Sequence, residues 1–147
     1  MEEQTAIGNV LSINDTAKAY LKETAKWSNF LAIIGFIGIG LLIVLSFFMG
    51  AVFSALPNAD LLPMNYGPIL TVIYLIVAVI YFFPVLYLYR FSVRMKACLV
   101  RNDEGELTAA FMSLKSLFKF LGIATIVLLV FYLLLFLVAL LGVFVSL

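Results

Sequence analysis

Polar and apolar positions in this chain fall into long blocks. Three blocks carry no Asp, Glu, Lys or Arg: Phe30–Leu56, Ile69–Tyr89 and Phe120–Leu147. Each reaches the roughly 20 residues that a helix needs to cross about 30 Å of hydrocarbon. Between and before them the apolar residues take a helical period. Ile13, Ala17, Tyr20, Leu21 and Thr24 recur at helical spacing, with Lys18, Lys22 and Lys26 on another face. Ser12 with Asp15 forms a capping pair, and no Gly or Pro intervenes before Trp27. The pattern predicts one helix from about Ile13 to Leu56, with residues 1–12 a flexible N-terminus.

Pro57 ends that helix, and Pro57–Pro68 is a short, turn-rich connection. Pro68 suits the first turn of a second helix, which continues past Arg90 to about Arg101. Asn102-Asp103-Glu104-Gly105 predicts a tight turn, and a third helix starts near Glu106. Its apolar stripe is Leu107, Ala110, Phe111, Leu114 and Phe118, facing Val93, Ala97 and Val100 of the second helix. The fold class is therefore all-α: residues 13–147 form one three-helix membrane domain, with spans at about 30–56, 69–89 and 120–147. Residues 90–119 make a helical hairpin beside them. At 1.5 Å per residue the second span measures about 31 Å and the other two about 40 Å, so the longer pair should tilt or extend beyond the core.

Charge orients this arrangement. All nine Lys and Arg lie before the first span or between the second and third. Basic flanks are retained in the cytoplasm, which places the N-terminus and hairpin inside and the Pro57–Pro68 loop and C-terminus outside. Composition agrees with the class: 65% of the 147 residues are apolar, and the mean hydropathy is +1.20. The polar start Met1-Glu2-Glu3 does not resemble a cleavable signal, so the first span is expected to act as its own insertion signal. The single Cys98 excludes an intramolecular disulfide.

The inventory of chemistry is thin. The chain has no His, and no ionisable carboxylate or amine lies inside a span. Proton-coupled carriers need such groups at membrane depth, and most catalysis needs an acid–base pair. Asp103, Glu104 and Glu106 read as a helix start, where acids are favoured, and not as a metal site. No enzyme, cofactor, metal or nucleic acid is expected. In the spans, small residues come first: Ser46, Gly50 and Ser54 repeat every four residues, and Gly35 and Gly38 lie nearer the basic end. Such rows let helix backbones approach closely in lipid. They serve either packing within the unit, with Gly35 against Gly122 at similar depth, or an oligomer interface. Tyr74 with Tyr81, and Thr125 with Tyr132, each share one helix face. They read as a stitch between the second and third helices or, more sharply, as a polar pore lining. Pro84 frees the Ile80 carbonyl, giving a fixed kink or a hinge. Lys18, Lys22, Lys26, Arg90, Arg94, Arg101, Lys115 and Lys119 form basic stripes, with Lys96 beside them. Topology and snorkelling explain them, and an acidic partner or anionic lipid is the alternative.

Two stretches, Tyr20–Gly40 (YLKETAKWSNFLAIIGFIGIG) and Leu114–Ile123 (LKSLFKFLGI), resemble a family of small bacterial inner-membrane proteins classed as a domain of unknown function. The resemblance implies a multi-pass protein of the bacterial cytoplasmic membrane and transfers no catalytic residue. The expected role is a non-enzymatic accessory or scaffold subunit, or a homo-oligomer, with membrane lipids and other membrane subunits as partners. An oligomeric channel or holin-like pore and an anionic-lipid-interacting protein are the alternatives. The topology makes a direct prediction. In a Cys98→Ser background, a cysteine replacing Asp60 should react with an impermeant maleimide applied to the outside of intact cells. One replacing Glu2 should react only after lysis.

Overall fold

The computed structural model describes residues 13–56 and 66–146, with side chains as far as Gly142. The expected flexible segment 1–12, the loop residues 57–65 and Leu147 lie outside the described residues. Three helices account for nearly everything else: α1, Asp15–Ser54; α2, Tyr66–Arg101; and α3, Glu104–Ser146. No strand occurs among the described residues. All three helices are long and apolar enough to cross a membrane, so the fold is the expected all-α, three-span architecture.

The helix ends follow local chemistry. Asn14 caps α1, its Oδ1 accepting from the Ala17 N–H at 2.7 Å. The cap is thus Asn14 in place of the expected Ser12–Asp15 pair, of which Ser12 is outside the described residues. At the other end the Ala55 N–H still donates to Ala51 O at 3.0 Å. The next residue, Leu56, precedes a proline, a position disfavoured in α geometry. Between α2 and α3, Asn102 takes φ 51°, a left-handed conformation that asparagine tolerates better than most residues. Asp103 then opens α3: its Oδ1 accepts from the Gly105 N–H at 2.8 Å and its carbonyl from Leu107 at 3.2 Å. α2 runs unbroken through Pro84.

α1 and α2 pack antiparallel in one continuous register. Near the basic end Ser92 Oγ donates to Ala25 O at 2.8 Å. Twenty-one residues further along each helix, Thr71 Oγ1 donates to Ser46 O at 3.1 Å. Four more residues bring Gly50 against Gly67, where a Cβ on Gly67 would stand 2.7 Å from Gly50 O. At 1.5 Å per residue the two hydrogen bonds are about 31 Å apart, the thickness of the hydrocarbon slab. Between them one row of buried and half-buried residues on α1 is Ser28, Ala32, Gly35, Ile39 and Leu42, with half-buried Asn29, Phe36 and Gly38 flanking it. Counted from Ala25 to Ser46, the steps alternate three and four, the period of a left-handed coiled coil. The most enclosed of these positions are Ala, Ser or Gly, which is what lets the two backbones close up in lipid.

α3 behaves differently. Its first half packs on α2, with Ala110, Ser113 and Leu117 buried. Beyond Phe120, which meets Phe83 with ring centroids 6.1 Å apart, every residue from Leu121 to Gly142 is exposed except half-buried Ala124. The apolar half of α3 therefore stands off the α1–α2 pair. The glycines separate these two situations in energy. Gly67→Ala should lower unfolding stability in mild detergent by about 1–3 kcal/mol, because its methyl would meet backbone. Gly38→Ala should be neutral or slightly stabilising, since a Cβ there meets nothing within 4 Å. Denaturant titration followed by circular dichroism measures both.

Candidate functional site

Two regions gather the residues with any capacity for specific interaction: the small-residue seam within the spans and the three-helix juncture at the basic end. The juncture is built as a water-soluble core would be. Ala25 of α1, Phe91 and Met95 of α2 and Ala110 of α3 are fully enclosed, with Leu21, Leu99, Leu107 and Leu114 packed around them. Ser92 lies in the same layer with its hydroxyl satisfied by Ala25 O, and Ser113 Oγ bonds back to Ala109 O at 3.1 Å. Cys98 is a buried thiol at the edge of this core.

The faces differ from those the apolar pattern suggested. On α2 the core residues are Phe91, Met95 and Cys98; Val93 and Val100 point outward, Val100 at 83% exposure. On α3 Leu107, Ala110 and Leu114 face inward as expected, but Phe111 and Phe118 are exposed, and Ser113 and Leu117 take the buried places. The buried stripe is rotated because small serines sit where the helices are closest. A pattern scored on large apolar residues passes over them.

The cations ring the juncture. Lys18, Lys22, Lys26, Arg90, Arg94, Lys96, Arg101, Lys115 and Lys119 are all exposed. Among the described residues the one ion pair is Lys18 with Asp15, at 4.0 Å on the open surface, where such pairs add little. In the α1–α2 register Trp27 lies opposite Arg90 and Lys26 opposite Phe91. Trp27, half-exposed Tyr89, Arg90 and Lys26 thus share one level, as aromatic and basic residues do at a membrane surface. From there the bundle continues about a dozen residues to the start of α1, a projection of roughly 20 Å.

Within the spans, the small residues are divided between uses. Ser46 and Gly50 are buried in the α1–α2 seam, Ser54 approaches Gly67, and Gly35 lies against Val85. Gly35 and Gly122 do not meet, and Gly122 faces open space. Ser46 Oγ is satisfied by Ile43 O at 2.6 Å. The tyrosine–threonine stitch is absent. Tyr81 and Tyr132 are exposed and form no hydrogen bond or ring contact with each other, Tyr74 is half-buried, and Thr125 Oγ1 returns to Leu121 O at 2.8 Å. The polar group that does join two helices within the spans is Thr71. Its hydroxyl contacts both Ser46 O and its own Gly67 O at 3.1 Å. The counterpart of the Ser46–Gly50 row is the Gly67–Thr71 pair, four residues apart on α2; the spacing is in the sequence, but only the register shows which row it meets.

A helical bundle of three spans with a packed extension at one end defines a multi-pass membrane protein. The chain belongs to a family of unknown function (DUF5362), whose model matches residues 64–140. The match covers α2, most of α3 and the Leu114–Ile123 stretch that carried the resemblance, while Tyr20–Gly40 lies outside it. No curated protein and no solved structure matches the chain. Core and surface positions of the juncture should respond differently to truncation. Met95→Ala should cost about 2–4 kcal/mol as a fully buried side chain. Val100→Ala should stay within about 0.5 kcal/mol. Thermal unfolding in micelles, followed by circular dichroism, distinguishes them.

Proposed function

We propose that the protein is a non-enzymatic accessory or scaffold subunit of a bacterial cytoplasmic-membrane assembly, built with further copies of itself or with other membrane subunits. The basic end and its projecting bundle face the cytoplasm, where positive flanks are retained. One observation carries the reading. α1 and α2 satisfy each other through a small-residue seam, while the apolar half of α3, from Leu121 to Gly142, packs on neither. A span held to its own protein at one end only is the element available to pack on another subunit. The absence of His and of any charge in the spans supports a structural role over transport or catalysis.

Cysteine scanning along α3 tests this. With Cys98 replaced by serine, single cysteines from Leu121 to Leu140 are oxidised or bridged by a short thiol cross-linker in native membranes. A fixed-mass product recurring every three to four positions is expected, marking one partner-facing side of the helix. Uniform failure to cross-link along all of α3 would show a span surrounded by lipid and remove the basis for the role.

A further inference from the structure

A cavity of about 180 Å³ opens on one face of the α1–α2 pair, lined by Ile39, Ile43, Ala78, Val79, Phe82 and Phe83. Every one of these side chains is hydrocarbon. At its end nearer the cations a file of rings crosses all three helices: Phe36 lies 6.1 Å from Phe82, Phe82 lies 6.3 Å from Phe83, and Phe83 lies 6.1 Å from Phe120. Phe120 is also where α3 stops packing on its neighbours. The crevice thus begins where α3 departs from the pair, with two rigid helices as its walls.

The chemistry above the crevice is cationic. Val79, Phe83 and Arg90 recur at steps of four and seven, which aligns them on one face of α2. Arg90 is exposed, and Tyr89 beside it stacks edge-on with Phe36 at 6.0 Å. α2 contains no Asp or Glu. The rise from Val79 to Arg90 is about 16 Å, half the thickness of a bilayer's hydrocarbon core and hence one leaflet.

We infer that this face binds one anionic phospholipid of the leaflet at the basic end. Its phosphate rests on Arg90, and one acyl chain runs past Phe83 into the crevice between Ile39, Ile43 and Val79. A guanidinium donates paired hydrogen bonds to a phosphate. A zwitterionic head group would bring its own cation to a helix that offers no carboxylate to receive it. The inference does not depend on α3 meeting another subunit, because both walls of the crevice belong to α1 and α2.

Native mass spectrometry of the full chain in mild detergent, titrated with phosphatidylglycerol or phosphatidylcholine of the same acyl chains, provides the test. One phosphatidylglycerol per chain should be retained about tenfold more tightly than phosphatidylcholine. Arg90→Gln should abolish most of that preference, whereas Lys18→Gln with Lys22→Gln, further from the membrane, should leave it intact. Val79→Trp, which fills the crevice without altering charge, should weaken retention of both lipids. Should that variant lose its helical circular dichroism, Ile43→Phe fills the crevice from the opposite wall. Equal retention of the two lipids, or an unchanged preference in Arg90→Gln, overturns the assignment of the head group. Wild-type retention in a folded crevice-filling variant overturns the assignment of the chain.

Discussion

Within hydrocarbon, two helices gain nothing by hiding apolar surface from each other, because lipid tails are equally apolar. What remains is close contact between backbones and the hydrogen bonds that contact permits, and the rest of this molecule depends on that constraint. Along α1 the enclosed positions are Ala25, Ser28, Ala32, Ser46 and Gly50, residues with little or no side chain to keep α2 away. Ser92 and Thr71 then reach backbone carbonyls of α1 about 31 Å apart along the pair. The register is set at two levels, and a slip of one residue would break both bonds and drive Gly67 out of its place against Gly50.

Past the membrane surface the rules change, and so does the composition of the interface. Phe91, Met95 and the surrounding leucines fill the space between three helices where water competes, so burial of large apolar groups becomes stabilising again. α3 joins the structure mainly under this second regime. Its attachment ends near Phe120, which meets Phe83 of α2, and its later sequence, dominated by Leu, Val and Phe, offers little small-residue surface to α2. The same chain therefore contains one helix pair joined along its length and a third helix joined only by its first half.

Much of this was legible in the sequence. Uncharged runs of membrane length marked the three helices that are long and apolar enough to cross a membrane, and the turn at Asn102–Asp103 was recognisable from its residues, although α3 already includes Glu104 and Gly105. Ser46 and Gly50 stood out as small residues at regular spacing, although their partner, Gly67 with Thr71, became visible only in the register. Other features were not legible. Val93 and Val100 follow a helical period as well as Phe91 and Met95 do, and only the position of α1 decides which face is enclosed. Tyr81 and Tyr132 have compatible depths, but depth says nothing about lateral separation, and α3 has left the pair before Tyr132 is reached. Asn14 and Ser12 are both good caps, so their order on the chain did not decide between them.

α1 and α2 both pass from lipid into the projecting bundle without a break. Each is a single stiff rod with its fulcrum at the level of Trp27 and Arg90. Bilayers that thin or thicken change the tilt of such rods. With an arm of roughly 20 Å beyond the fulcrum, a change of about 10° displaces the far tip by some 3–4 Å. Local membrane thickness is thereby written into the position of a hydrophilic surface, with no moving joint required.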